Sequence, residues 1–540
     1  MPPPESSLAP FRTQTFRDIL VQSSYPAFRA QLDGLLDASH AKVADLEAQV
    51  TALTQERDRE LMRIAALKYA AAPVRKLPPE MLVEIFVRAL WAAEKAAKND
   101  SSAAKATLQM AYRLCSVCNY WRQLILQTRR MWTGPLHIIA CGDSTSLEFI
   151  ENLISRSAPQ SLRLVLQRTK HWDSDSDDYD SPFRGNYGWD AISKPIVAAV
   201  VAVADRWRSL QSNFDPARYY EPHQIPIFER LERVALDFDG EEWLGHETSI
   251  VSPFTMAPRL VDVSLASLEL VGAPIPWTQL TTLSLRFCND DEHPLSSLDA
   301  IAKCTSLVRL QLCTSAWSFD DAPDQSNDKD TLLRVEEVRL SFTIYHGSTL
   351  VATVHPFFER FAFPKLSLLE IGFDELMPLP PALGTFLDSS PHIHRFALRS
   401  AKLGHLALED MLPRLESATS LSFTDCSWTD SANLYQKLIY QHFSMESPIL
   451  PSLRALEIVG ETRDEVYLLA MLQSRWESFE AIMTDSVPRV ARLRSVVLRS
   501  VGEETRKELM GDGVVIQRLR SQGMDLRVEL DAEEPSFTDI

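Results

Sequence analysis

The chain has 540 residues, room for two to five domains or one elongated array at about 100–200 residues per domain. Its 73 acidic against 55 basic residues leave a formal charge of −18, which argues against a nucleic-acid or anionic-membrane binder, since both need a positive footprint. Hydrophobic residues make up 45%, too many for general disorder, and only 17 Gly count against a fold built on many glycine turns. The seven cysteines, Cys115, Cys118, Cys141, Cys288, Cys304, Cys313 and Cys426, are too sparse and uneven for a disulfide framework. Reduced thiols and a cytoplasmic or nuclear location are the expectation. The N-terminus lacks a basic stretch followed by an apolar one, so no signal peptide is read. The longest apolar run, Ile196 to Ala204, is far short of the about 20 residues needed to span a bilayer.

Residues 1–30 contain Pro and Ser without a clear period and read as a flexible tail. Over 31–72, Leu36, Ser39, Val43, Leu46, Val50, Leu53, Arg57, Glu60, Ile64 and Leu67 alternate steps of three and four. That is a heptad register with most seam positions apolar. The segment is either a dimerising coiled coil or an amphipathic helix lying against its own domain. Ser39, Arg57 and Glu60 weaken the seam, so the second reading is preferred and the chain is expected to be monomeric. Pro73 ends the helix, because it lacks an N–H and clashes with the preceding turn.

Pro78 and Pro79 suit the start of a further helix and Glu80 its first turn, after which Met81, Leu82, Ile85 and Phe86 share a face. A polar, Ala-rich stretch follows, over Ala92 to Ala106. A second helical block, LQMAYRLCSVCNYWRQLILQ, has Leu114, Val117, Cys118, Trp121, Leu124 and Ile125 on its apolar stripe. The pieces LPPEMLVEIF (77–86), LCSVCNYWRQLI (114–125) and TRRMW (128–132) together resemble an F-box. The family pattern is an LPxE-led helix, a helix carrying V-C-x-x-W-R, and a closing Trp. The likeness covers roughly 60 residues, and the segment 73–138 is assigned to it. Two features depart from the pattern: a longer link at about 89–107, and Arg129 where the family often has Pro.

The resemblance implies a substrate receptor of an SCF-type (cullin) ubiquitin ligase that performs no covalent chemistry itself. It implies docking on a Skp-type adaptor, and through it a cullin. The expected docking residues are Leu77, Pro78, Met81, Leu82, Ile85, Phe86, Val117, Cys118, Trp121, Leu124 and Trp132, some of which must instead hold the domain together. Two other classes stay open: a non-ligase scaffold, and an enzyme with a site in 418–525, for which no motif speaks.

Over 139–531 the form L-x-x-L-x-L recurs with apolar swaps. It reads Leu231/Val234/Leu236, Leu260/Val263/Leu265, Leu280/Leu283/Leu285, Leu307/Leu310/Leu312 and Val335/Val338/Leu340. It continues Leu366/Leu369/Ile371, Ile393/Phe396/Leu398, Ala418/Leu421/Phe423, Leu453/Leu456/Ile458 and Leu493/Val496/Leu498. Most spacings lie in or near the 20–29 residues of a leucine-rich repeat. SLRLVLQ at 161–167 and DLRVEL at 525–530 read as first and last strands, with helices over 296–304, 350–361 and 466–476 between others. The expected fold is therefore an α N-terminal part, a long helix plus F-box helices, followed by an irregular α/β leucine-rich-repeat solenoid with a parallel sheet. Residues 532–540 are a C-terminal tail.

No G-x-S-x-G, HExxH or Walker pattern occurs. Cys115-x-x-Cys118 lacks the second ligand pair a zinc site needs, and His392 and His394 have no evident further ligand, so no metal or cofactor is expected. The acidic run 171–182 reads as a solvated loop open to phosphorylation. Residues alternating with the leucines face the other side of the sheet. There Arg286, Arg309 and Arg339, from three consecutive strands, suggest a basic patch for an acidic or phosphorylated segment of an unknown target protein. The competing reading pairs them with Glu337 and Glu370.

Overall fold

The computed structural model describes residues 26–97, 100–140, 146–168, 192–214, 227–237, 253–266, 275–287, 295–315, 329–343, 354–428, 431–440, 447–460, 465–477, 490–499 and 514–529. The expected C-terminal tail 532–540, the acidic run 171–182 and residues 1–25 of the expected N-terminal tail lie outside them, and residues 26–30 belong to the first helix. The chain divides into two compact units, Met1–Ile85 and Phe86–Ile540.

The first unit is dominated by α1 (Pro26–Ala71), followed by a 3-10 turn at Pro73–Lys76. Helix formers fill α1, and polar side chains support it locally: Gln49 Nε2 donates to Asp45 Oδ2 at 2.8 Å, one turn back. Leu36, Val43, Leu46, Val50, Leu53, Ile64 and Leu67 are all exposed, with Leu53 at 65%.

The helix α2 (Pro79–Lys95) crosses the boundary between the units. It runs ten residues past Ile85, into the stretch read from sequence as a link. The link's remainder is also mostly helix, because α3 spans Asp100–Val117. The second predicted helical block is in fact two helices. The chain breaks at Cys118, whose backbone is extended (φ −162°, ψ 166°), and α4 runs over Asn119–Gln127. Cys118 Sγ accepts the Trp121 N–H at 3.4 Å, so the thiol caps α4 in place of the usual hydroxyl or carboxylate.

The strands are β1 (Pro135–Ile139), β2 (Leu162–Gln167), β3 (Trp207–Ser212), β4 (Arg233–Leu236), β5 (Asp262–Leu265), β6 (Thr282–Phe287), β7 (Arg309–Ser315), β8 (Asp330–Thr331) and β9 (Glu337–Thr343). They continue as β10 (Phe361–Ala362), β11 (Leu368–Pro378), β12 (Arg395–Leu403), β13 (Ser420–Thr424), β14 (Ser427–Trp428), β15 (Ala455–Val459), β16 (Ser495–Arg499) and β17 (Asp525–Glu529). β8 and β10 pair with each other, and β14 pairs with β12. The rest form one sheet in strict chain order, every neighbouring pair parallel. This is an N-terminal helical region followed by a parallel sheet of many strands with helices, an α/β fold.

One register row crosses the whole sheet. It runs Leu136, Leu164, Leu210, Val234, Val263, Leu283, Leu310, Val338, Leu369, Phe396, Leu421, Leu456, Val496, Leu526. All thirty residues of the ten sequence triplets are buried, none more than 6% exposed. Each Val, Leu, Ile or Phe among them contributes about 1.5–3 kcal/mol when fully buried, so the recurring triplet is the core itself.

Two strands on the main path escaped the sequence reading, as did the two-residue strands β8, β10 and β14. β1 lies inside the segment assigned to the F-box, so SLRLVLQ forms the second strand, not the first. β3 has Trp207 and Ser212 where leucines are expected. Ser212 is buried, and its hydroxyl is satisfied by donating to the Phe214 carbonyl at 2.6 Å. The three predicted connecting helices form as Leu295–Lys303, His355–Arg360 and Glu465–Glu477.

Arg475, in the last of these helices, is 1% exposed. It donates to the carbonyls of Leu438 (2.6 Å), Leu450 (2.9 Å) and Ile449 (2.5 Å). Leu438 closes the helix Ser431–Leu438, where terminal carbonyls lack intrahelical partners. Burial pushes the Arg475 guanidinium down to about 10.

Candidate functional site

The eleven expected docking residues divide by exposure. In the first unit, Leu77, Pro78, Met81 and Ile85 are exposed, whereas Leu82 is 1% exposed. Met81 and Ile85 lie one turn apart on one edge of the apolar stripe, and packing turns the neighbouring Leu82 inward. In the second unit, Val117 is exposed, and Cys118, Trp121 and Leu124 are half-buried. Phe86 and Trp132 are buried. Leu82, Phe86 and Trp132 are thus the three of the eleven that are buried within the chain, in keeping with the expectation that some of them hold the domain together.

The reasons for the buried pair are local. Phe86 lies against Trp121, ring centroids 4.6 Å apart. The Trp132 indole N–H donates to the Ile125 carbonyl at 3.1 Å, its ring meets Tyr112 at 6.4 Å, and the Arg156 guanidinium sits 5.1 Å above it. Arg122 Nε donates to the Cys115 carbonyl at 3.1 Å, closing the break between α3 and α4. Sequence reasoning missed Tyr120 and Leu126, which are exposed on α4 beside the expected stripe.

The helices of the second unit are tied to the start of the sheet. Glu94 and Arg163 form a two-pronged ion pair, one contact being 2.9 Å from Arg163 Nη2 to Glu94 Oε2. His137 Nε2 lies 2.7 Å from Gln167 Oε1, and Ser101 Oγ lies 3.3 Å from His137 Nδ1. A cavity of about 220 Å³ opens there. The carboxylate lining it, Glu94, is the one already paired to Arg163.

On the polar face of the sheet, the three arginines do not stand side by side. Arg309 is level with Thr282 and Glu337, Arg339 with Gln311 and Glu370, and Arg286 with Cys313. Arg286 and Arg309 are four residues apart in register, about 13 Å. Arg309 Nε is 3.5 Å from Glu337 and Arg339 Nε is 3.2 Å from Glu370. The same pattern recurs at Arg499 with Glu457 (3.3 Å) and Arg399 with Asp425 (3.8 Å). Arg286 is exposed. Burial pushes the Asp262 carboxyl above its usual range, opposed by Arg233 and Arg309.

No group of three or more His, Cys, Asp or Glu among the described residues could hold a metal ion. His394 Nδ1 lies 3.1 Å from the Ser417 carbonyl oxygen. Among the described residues no helix is long and apolar enough to cross a membrane. Burial raises the Cys115 thiol, carries Cys304 to about 12, and carries Cys426 to about 11. Since the thiolate is the nucleophile, Cys304 and Cys426 are expected to stay unmodified by iodoacetamide at about pH 8 in the folded protein. Rapid labelling of either, read by peptide mass spectrometry, would contradict their burial. The chain matches no protein-family model and no curated protein.

Proposed function

We propose that the chain is the substrate-recognition subunit of an SCF-type ubiquitin ligase. Its F-box-like segment would dock on a Skp-type adaptor, and its repeat-bearing sheet, read as an irregular leucine-rich solenoid, would hold a target protein. The observation that carries the reading is the helix led by Leu77-Pro78-Pro79-Glu80, which leaves Met81 and Ile85 open to solvent while Leu82 is buried. Apolar side chains held outward on a rigid helix suit a partner surface better than a core. The test is affinity purification of the full chain. Adaptor and cullin should both co-purify. Adaptor without cullin would favour a scaffold outside the ligase, and neither would end the reading.

The target would meet the polar face of the sheet, where Arg286, Arg309 and Arg339 offer guanidinium groups to an acidic or phosphorylated segment. The ion pairs of Arg309 and Arg339 are substantially exposed, so they contribute little to stability and leave both side chains able to exchange partners. Reversing all three charges is expected to spare adaptor binding and deplete the proteins captured under proteasome inhibition. An unchanged captured set would make these arginines structural only.

A further inference from the structure

The exposed seam of α1 carries an ordered charge pattern that specifies a partner. We propose that α1 pairs with the α1 of a second copy of this chain, antiparallel, about a two-fold axis between Asp58 and Arg59. In a two-fold contact, if residue i meets residue j, then j meets i. Arg57 of each copy then meets Glu60 of the other, twice. Moving outward along the seam, Leu53 meets Ile64, Val50 meets Leu67, and Leu46 meets Ala71. Every other layer in the overlap is apolar.

The flanking positions agree. In the same register Glu56 lies beside Arg63 of the second copy, and Glu47 beside Lys68. All the charged cross-pairs named here are therefore acid against base. The overlap covers residues 46–71, about 39 Å of helix at 1.5 Å per residue. A parallel, in-register pair fares worse: it stacks Arg57 on Arg57 and Glu60 on Glu60, and sets Arg63 beside Lys68. Like charges brought together on a seam are costly and suppress that arrangement.

Nothing within α1 prevents the exchange of partners. Arg57 now pairs with the adjacent Asp58 at 2.7 Å, and Arg63 lies 3.7 Å from Glu60. The side chains of all four are 58% exposed or more, so these contacts are weak and easily replaced. The two charged seam positions that spoke for a monomer when one helix was considered alone thus become the specificity element of a pair. The inference is independent of the ligase reading.

The test uses the full chain, compared by light scattering across a dilution series in low salt. Wild type is expected at twice 61.0 kDa. Arg57→Glu alone and Glu60→Arg alone should each weaken the dimer roughly tenfold or more, because each sets like charges together at both central layers. The double variant carrying both changes restores opposite charges and should dimerise as wild type does. All substituted side chains are exposed in the single chain, and circular dichroism checks that the helix persists. A wild-type monomer throughout the series would overturn the proposal. So would a dimer indifferent to the single changes, as a parallel pair or another surface would give.

Discussion

Arg475→Ala should destabilise the C-terminal part of the sheet by on the order of 3–5 kcal/mol. The substitution empties the volume of a long side chain and takes a donor from the carbonyls of Leu438, Ile449 and Leu450, of which Leu450 keeps the Leu453 N–H at 3.3 Å. A buried carbonyl left unpaired costs about 1–3 kcal/mol, and the cavity adds to it. Removal of a buried positive charge offsets part of the loss, since burial already disfavours that charge. Arg475→Lys keeps the charge and loses the planar fork that reaches three acceptors, so it should fall between wild type and Ala. Hydrogen exchange is the suitable measurement. Amides of the helix Ser431–Leu438 and of β15 should lose protection while those of β6 and β7 keep theirs. An Ala variant with unaltered exchange would mean that the three contacts carry no weight.

The second large effect separates docking from folding on neighbouring residues. Met81→Ala with Ile85→Ala should lower affinity for a Skp-type adaptor about a hundredfold and leave the melting temperature nearly unchanged. Both side chains are about half exposed, 53% and 47%, and truncating a central interface anchor typically costs about 1–2 kcal/mol. Leu82→Ala should instead cost about 2–5 kcal/mol of stability, because that side chain is buried. Titration calorimetry with purified adaptor, set beside thermal melts, distinguishes the two. Full affinity in the Met81/Ile85 variant would remove the docking role from this helix. A large drop in melting temperature would show that these side chains support the fold.

The sheet was legible because its core and its signature are the same residues. A strand buries alternate side chains, so a triplet such as Leu283/Leu285 after Leu280 can be read without knowing its neighbours. β3 was not legible for the same reason in reverse: Trp207 and Ser212 replace apolar aliphatics, and only the Ser212 hydrogen bond to Phe214 lets a polar group stand in that row. β1 was hidden because Leu136 and Ile138 follow directly on Trp132 and were counted with the helices. At the helical segment, periodicity found an apolar stripe but could not divide it. Leu82 and Ile85 look alike in sequence, and only packing turns one inward. The break at Cys118 was invisible because the apolar period runs unbroken from Val117 to Trp121, and a thiol is an unusual cap. The arginines show the limit on the polar face. Period two assigns them a side, but their level along the strands depends on register, which places Arg286 four residues from Arg309.

The strict chain order of the strands also bears on how the protein is made. No described strand on the path waits for a distant segment to supply its neighbour, since each pairs with the strands next to it in sequence once the two-residue strands β8, β10 and β14 are set aside. Contacts of short sequence separation form fast, because little loop entropy must be lost before they close. Synthesis releases residues from the N-terminus at about 5–20 per second. The α3–α4 helices and β1 emerge together, and each later strand meets a finished edge. The nascent sheet can thus lengthen vectorially on the ribosome, with β1 holding one border and the growing border always belonging to the most recently translated strand.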